Sequence, residues 1–292
     1  MKIELIDTGY FYADGGAMFG AVPKSAWQRR YPSDETNGCV LAMRSALVHT
    51  DNGRLILIDN GAGNKHLKQT SYYRFFNLVD LHEELAKRGI QPEQITDVAL
   101  THLHFDHCGY TTLKNKAIEA NETDEDGEEL LKHERYVLAF PKATHWISRE
   151  QWDNCHRPNH IEKDSYFVEN VQAILSANKL RLVDADTALC PEVSLRLYGG
   201  HTLGQLVPYI YTPRRTFVFA GDVIPLAPSV SPEWISAYDT YPITSYYEKV
   251  RMLEEAATEK QALIFCHDAY TRCSTIKKIG NFYKTDETIA PF

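Results

Sequence analysis

The chain has 292 residues, of which 43% are hydrophobic and 11% aromatic, so it can bury a sizeable core and is not a disordered protein. Its formal net charge is −8, which disfavours general attraction to nucleic acid or to an anionic membrane surface. No apolar run approaches the roughly 20 residues of a membrane-spanning helix, so we expect neither nucleic acid nor a membrane as a partner.

The six cysteines are scattered and form no C-x-x-C motif, and residues 1–7 alternate like a strand and do not resemble a signal peptide. These features predict free thiols and a cytoplasmic protein. No repeat or linker divides the chain, so we expect residues 1–292 to form a single domain. The compositional anomaly is residues 119–129, with seven acids in eleven positions; it favours a solvated loop, with a lid as the alternative.

In the first third of the chain, strands are predicted for residues 40–50 and 54–58, on either side of the turn signal Asp51-Asn52-Gly53. Residues 71–88 predict a helix that ends at Gly89. Residues 95–100 predict a short apolar strand, which leads directly into Thr101-His102.

The second half predicts more strands, at residues 136–140, 193–197, 206–211, 216–220 and 262–266. Helices are predicted for 166–178 and 244–260. Within the second helix, Ser245-x-x-Glu248 indicates a capping box, and the expected buried stripe is Tyr246, Val250, Leu253 and Ala257. Runs of strands with helices between and after them predict two sheets covered by helices.

One short segment carries chemistry. It places three imidazoles and a carboxylate within six residues, at His102, His104, Asp106 and His107. Alternation allows His102 and His104 to face one ion, while Asp106 and His107, past the turn, can face a second. This ligand mix suits zinc, and also iron or manganese.

Three further candidates each follow a predicted strand: His201 between glycines, Asp222 in Ala220-Gly221-Asp222, and His267 after Phe265-Cys266. In this order, the seven residues resemble the motif set of the metallo-β-lactamase superfamily. That resemblance implies an α/β fold, the αββα sandwich, in which two mixed β-sheets are covered by helices on their outer faces. It also implies two metal ions, most simply zinc, at the shared edge of the sheets.

Carried over to this chain, the resemblance assigns His102, His104 and His201 to one ion. It assigns Asp106, His107 and His267 to the other ion and Asp222 to a bridge between them. Asp106 would also be catalytic, accepting a proton or orienting the nucleophile. Asp59, at the end of residues 55–58, matches a family aspartate that we interpret as bracing the ligands. The other histidines show no partner pattern.

The segment Asp14-Gly15-Gly16-Ala17-Met18-Phe19-Gly20, followed by Trp27, resembles the branch that contains quorum-quenching acyl-homoserine lactone lactonases and methyl-parathion hydrolases. It predicts a loop over the metals that offers Met18, Phe19 and Trp27 to an apolar substrate. A packed glycine-rich loop is the alternative. Pro225 stands where some of these lactonases carry a tyrosine close to the substrate carbonyl, so another group would have to assist here.

We therefore expect metal-assisted hydrolysis of a small lactone, ester or phosphotriester. A nuclease of the same fold is the alternative, opposed by the acidic charge and by the short interval from Asp222 to His267. A mononuclear-iron sulfur dioxygenase is a further alternative. A flavo-diiron oxidoreductase is opposed, because such a protein would have Glu in place of His104 and an added flavin domain. A metal-free scaffold is opposed by the seven intact ligand positions. No G-x-S-x-G motif or phosphate-binding loop is present.

Overall fold

The computed structural model describes residues 1–115 and 135–290. The acidic segment at residues 119–129, with its loop and lid interpretations, lies outside the described residues. No helix within the described parts of the chain is long and apolar enough to cross a bilayer.

The first sheet contains six strands in the order β1-β2-β3-β4-β7-β8. The pairs β1-β2 and β2-β3 are antiparallel, and the remaining pairs are parallel. Its strands are β1 (Lys2–Asp14), β2 (Gly38–His49), β3 (Leu55–Ile58), β4 (Asp97–Ala99), β7 (Thr144–Ser148) and β8 (Leu180–Val183). A separate two-stranded ribbon pairs β5 (Thr112–Lys114) with β6 (Tyr136–Leu138).

The second sheet contains seven strands in the order β15-β14-β13-β12-β11-β10-β9. All its pairs are antiparallel except β12-β13. Its strands are β9 (Thr187–Cys190), β10 (Val193–Tyr198), β11 (Gln205–Tyr211), β12 (Thr216–Phe219), β13 (Ala262–Ile264), β14 (Cys273–Ile279) and β15 (Phe282–Thr288).

The helices of the described residues are short except the last. They are α1 (Gly15–Phe19), α2 (Lys24–Trp27), α3 (Leu81–Ala86), α4 (Phe105–Cys108), α5 (Arg149–His156), α6 (Gln172–Ser176) and α7 (Pro242–Thr258).

Alternation along the strands builds a layered core. In β3, Ile56 and Ile58 pack with residues of the second sheet, such as Phe219 and Ile264, while Leu57 points to the opposite face. There it joins a cluster that includes Leu85 of α3. On the far side, α7 covers the second sheet through Met252, Leu253 and Ala256. The four layers are the expected αββα sandwich.

Two predicted helices are shorter in the structure. Residues 71–88 form a 3-10 turn (Ser71–Tyr73) and α3, because Arg74 and Asn77 adopt positive φ angles of 48° and 49° between them. The Tyr73 and Phe75 rings of this segment pack in an aromatic cluster instead of along a helix. Residues 166–178 likewise contain only a 3-10 turn (Val168–Asn170) and α6.

The helix predicted at 244–260 exists as α7, but its predicted cap is wrong and its predicted face is only partly right. Leu253 is buried as predicted and Ala257 packs against the core, whereas Tyr246 and Val250 are only partly buried. The buried residues of α7 are Ser245, Lys249, Met252, Leu253 and Ala256. Ser245 lies inside the helix, and Glu248 accepts hydrogen bonds from the backbone N–H groups of Gly199 (2.8 Å) and Gly200 (2.9 Å). The Ser-x-x-Glu spacing therefore serves a tertiary contact, which a local pattern does not reveal.

Candidate metal centre

The turn between β4 and α4 carries the first cluster. Leu103 faces the core, and its two neighbours His102 and His104 face the opposite way, into the site. Asp106 and His107 follow on the single turn of α4. The backbone N–H of Leu103 donates to the side-chain oxygen of Gln151 at 2.9 Å, so the histidine turn is attached to α5.

The second sheet delivers the other three predicted ligands to the same edge. Each lies three positions after the end of a strand: His201 after β10, Asp222 after β12 and His267 after β13. The turn before His201 packs tightly: a Cβ on Gly200 would lie 2.4 Å from the Ser245 backbone, so only glycine fits there. Strand ends of two sheets thus bring together residues separated by up to 165 positions in sequence.

The seven residues form two adjoining groups. The nitrogens of His102, His104 and His201 lie within 4.8 Å of one another, and a second group contains His107, Asp222, Cys266 and His267. Asp106 joins the second group, with Oδ2 3.5 Å from His267 Nε2.

Asp222 lies between the two groups and faces both. Its Oδ1 is 3.2 Å from His107 Nε2 and 3.2 Å from His267 Nε2, while Oδ2 is 3.5 Å from His201 Nε2. Each oxygen therefore points at a different group, which is the orientation that a bridging carboxylate requires.

Hydrogen bonds on the outer nitrogens fix the tautomers of four imidazoles. Nδ1 of His107 donates to Asp59 (2.8 Å), Nδ1 of His201 to Asp239 (2.9 Å), and Nδ1 of His267 to the Ala42 carbonyl (2.8 Å). The Thr101 hydroxyl donates to Asp59 Oδ2 (2.8 Å) and can therefore only accept, at 3.1 Å, from Nδ1 of His102. All four Nε2 atoms are left with lone pairs that point inward.

In the neutral rings, these lone pairs converge at short distances. His107 Nε2 and His267 Nε2 are 3.1 Å apart, His201 Nε2 is 3.3 Å from His104 Nδ1, and His102 Nε2 has no protein partner although it is buried. Lone pairs at this distance repel each other unless a cation lies between them. The donor set, imidazole with carboxylate, fits divalent zinc, iron or manganese.

The protein's own charged groups also favour positive charge at this centre. Burial would lower the pKa of His107, but the carboxylates of Asp106, Asp222 and Asp59 outweigh it and raise that pKa well above its usual value. Burial dominates at His102 and lowers its pKa well below the usual value. The acidic groups thus favour positive charge at the centre of the site, whether proton or metal.

Asp59 lies where the sequence predicted a bracing residue. It adopts a positive φ of 52°, and its carboxylate accepts from the Thr101 N–H (2.7 Å), the Thr101 hydroxyl and His107 Nδ1. This arrangement fixes both the ligand turn and one imidazole. A left-handed backbone at a non-glycine residue costs free energy, so the contacts of Asp59 must offset it.

The pocket beside the centre is mostly apolar. It is lined by Phe11, Met18, Leu41, Tyr73, Phe105 and Tyr238, together with Glu162 and the predicted ligands at its floor. Burial, together with the negative charge of Asp106, raises the pKa of Tyr73 to about 12, so its hydroxyl stays protonated as a donor. Pro225 lines no part of this pocket; its carbonyl accepts from the His267 N–H at 3.1 Å.

The predicted substrate loop is only partly correct. Met18 lines the pocket, but Phe19 and Trp27 are 0% and 1% exposed, and their rings stack on each other with centroids 4.9 Å apart. They support the loop from beneath and do not reach the cavity. A Cβ on Gly15 would lie 2.4 Å from the Trp27 ring, so the glycines permit close packing here.

Sequence reasoning missed four polar residues around the centre. Asp239 holds His201, Glu162 lies beside His104, Gln151 contacts both ligand turns, and Cys266 places Sγ 3.3 Å from Asp222 Oδ1. Only Cys266 had a local signal, since it immediately precedes His267.

The comparisons with known proteins agree with this geometry. A family model described as the metallo-beta-lactamase superfamily matches residues 43–111 and 125–267. No curated protein matches the sequence. A solved probable metal-dependent hydrolase from Staphylococcus aureus is 29% identical, with a TM-score of 0.81 over 99% of this chain and 98% of its own.

Two more distant structures share the fold. AidC, a dizinc quorum-quenching lactonase, is 20% identical, with a TM-score of 0.73 over 99% of this chain and 95% of its own. The hydrolase AbOPH is 21% identical, with a TM-score of 0.74 over 97% of this chain and 92% of its own. Because the family model matches well over half of its residues, this chain belongs to the metallo-beta-lactamase superfamily.

Proposed function

We propose that this chain, a metal-dependent hydrolase of its superfamily, holds two divalent metal ions, most simply zinc. The first would be bound by His102, His104 and His201. The second would be bound by Asp106, His107 and His267, and Asp222 would bridge both. The observation that carries the proposal is the convergence of Nε2 lone pairs whose Nδ1 protons are already committed elsewhere.

Bound there, two such ions supply Lewis acidity and lower the pKa of water toward about 7. The chain's own residues supply the rest. Asp106, whose side chain is 12% exposed at the pocket floor, is placed to accept a proton or to orient the attacking water. The protonated hydroxyls of Tyr73 and Tyr238 line the same cavity and can donate to a substrate oxygen, a role that Pro225 cannot fill.

The apolar lining supports a small, uncharged substrate. Met18, Phe11 and Leu41 offer surface to an acyl chain or an aryl group, and no Lys or Arg side chain lines the cavity among the described residues. A lactonase and another hydrolase are among the structural neighbours. We therefore propose lactones, including N-acyl-homoserine lactones, esters or phosphotriesters as substrates.

Two finer proposals concern the whole chain. Both sheets contribute ligands to one centre, which supports a single domain over residues 1–292. All six cysteines are buried and unpaired, which supports a reducing compartment such as the cytoplasm.

Two measurements test the metal centre: the number of metal ions per chain, and the effect of removing the proposed bridging residue Asp222. Protein purified without added metal and then loaded with zinc should contain two ions per chain. Asp222→Ala should lose metal and at least 100-fold of the hydrolysis rate, because both ions lose a shared ligand. Asp153→Ala, at an exposed position on α5, is the matched control and should keep both the metal content and the hydrolysis rate. One ion per chain with Asp106 and His107 uninvolved would instead support the mononuclear dioxygenase.

A panel of substrates tests the chemical class. Lactones and activated esters should be cleaved faster than RNA or phosphomonoesters, because the acidic surface and apolar lining disfavour polyanions. Nuclease activity without lactonase or esterase activity would overturn the substrate class while leaving the two-ion proposal intact.

A further inference from the structure

Glu162 is a buried carboxylate that the proposed reaction does not use. Its residue is 3% exposed, and one carboxylate oxygen, Oε2, accepts from the side-chain amides of Asn154 (2.9 Å) and Asn159 (2.7 Å). These two anchors fix the direction of the other oxygen. Oε1 faces His104 Nε2 at 3.7 Å.

Both facing atoms lack any other partner. His104 Nε2 and Glu162 Oε1 are buried and unbonded to any other described residue. His104 is also the one ion-pair partner that the described residues give to Glu162. A buried carboxylate without a cation is costly, and this imidazole is the route by which positive charge at the centre can reach Glu162.

His104 differs from the other four site histidines. Its Nδ1 faces His201 Nε2 at 3.3 Å, so Nδ1 is directed at the centre and Nε2 is directed away. In His102, His107, His201 and His267 the outer nitrogen is Nδ1. The outer nitrogen of each of those four histidines has a hydrogen-bond acceptor. The outer nitrogen of His104 is Nε2, and the acceptor that faces it is Glu162.

We propose that Glu162 is the positioning residue of His104: it accepts a hydrogen bond from Nε2–H, fixes the tautomer with the Nδ1 lone pair turned inward, and supplies the counter-charge for the first metal ion. The inference rests on the proposed function, because it requires an ion between His104 and His201. The present 3.7 Å separation is about 1 Å longer than a charge-assisted hydrogen bond. We expect it to close when Nδ1 binds the ion.

Nuclear magnetic resonance of the zinc-loaded protein with ¹⁵N-labelled histidine tests the tautomer directly. One of the five site imidazoles should carry its proton on Nε2 and the other four on Nδ1, and His104→Gln should remove that one signal. In Glu162→Gln, which keeps the shape but has one acceptor oxygen and no charge, Asn154 and Asn159 claim that oxygen, so the amide nitrogen faces His104 and this proton should move upfield because its acceptor is lost.

Metal affinity provides the second measurement. Chelator competition on Glu162→Gln should show one of the two ions bound about 10–100-fold more weakly, the usual effect of removing such a partner. The exposed Glu150→Gln on α5 is the matched control and should leave both affinities unchanged. Thermal unfolding of the metal-free forms of wild type and Glu162→Gln should agree, which separates positioning from a structural role.

The outcomes distinguish this inference from the proposed function. If wild type binds fewer than two ions, the proposed centre fails. If wild type binds two ions but Glu162→Gln keeps both affinities and the His104 resonance, only the role of Glu162 is overturned. A higher KM with unchanged metal binding would overturn it as well, because Glu162 would then contact the substrate.

Discussion

At the scale of single residues, the centre depends on what lies behind each imidazole. Asp59, Asp239 and the Ala42 carbonyl each accept a hydrogen bond from an Nδ1–H, which in the neutral ring leaves a lone pair on the opposite nitrogen. Such outer partners orient a ring and raise its basicity. The same histidines without these acceptors would sample both tautomers and bind an ion more weakly.

Met18 and Trp27 lie in one hydrophobic cluster but should respond differently to truncation. Met18→Ala should raise KM more than it lowers kcat, because the side chain lines the pocket and supplies binding only. Trp27→Ala should instead cost about 3–5 kcal/mol of unfolding free energy, because it empties a fully buried site. Steady-state kinetics and urea unfolding of both variants decide this. This prediction is contradicted if Met18→Ala and Trp27→Ala lose equal stability and the KM of Met18→Ala is unchanged.

At the scale of elements, helix α5 connects the two sheets at the site. Gln151 accepts from the Leu103 N–H of the first ligand turn and donates to the Leu203 carbonyl (2.6 Å) and the Thr202 hydroxyl (2.9 Å) of the second. One side chain therefore holds the turns of His102, His104 and His201 in register. It is fully buried, so water cannot replace it.

Gln151→Leu should therefore weaken metal binding although no ligand is removed. Leaving the Leu103 N–H unpaired in the interior should also cost about 1–3 kcal/mol. Zinc competition and urea unfolding measure the two effects. Glu150→Gln, one residue away and exposed, is the control; a loss of stability with unchanged zinc affinity would show that Gln151 does not align the ligands.

At the scale of the whole molecule, α7 connects the outer layer to the centre. Lys249 of α7 is 2% exposed and donates to the Trp234 carbonyl at 2.6 Å, on the segment that also carries Asp239. Burial lowers its pKa from 10.5 to about 8, although Asp239 and Glu233 oppose the shift. The helix therefore buries a charge close to the partner of His201.

Global stability should reflect this lysine at alkaline pH. Below pH 8 both the native and the unfolded chain carry the proton, so the burial penalty is constant. Between pH 8 and 10.5 the native state loses the proton first, and the unfolding free energy should rise by on the order of 3 kcal/mol. The difference in unfolding free energy between wild type and Lys249→Met, measured by urea unfolding at each pH, should show this rise. The exposed Lys68→Met should show none, and parallel pH profiles for wild type and Lys249→Met would refute the assignment.

The sequence by itself determined the chemistry of the centre and the class of the fold. The His102-to-His107 cluster is local, and His201, Asp222 and His267 each follow a strand that could be recognised from its apolar run. Strands buried on both faces, such as β3, have nearly continuous apolar sequences, which is why the two-sheet arrangement was predictable. The family match agrees with the class of the fold.

Only the tertiary structure decided which residues stand behind the predicted ligands and which side chains line the pocket. Asp239 and His201 are 38 positions apart, and Gln151 and Leu103 are 48 apart, so no spacing rule connects them. Met18 and Phe19 are neighbours in sequence, yet one lines the pocket and the other is buried, because a short helix turns consecutive side chains about 100° apart. Local patterns fix residue types and periodicity, whereas burial and hydrogen-bond partners depend on which distant segments the fold brings together.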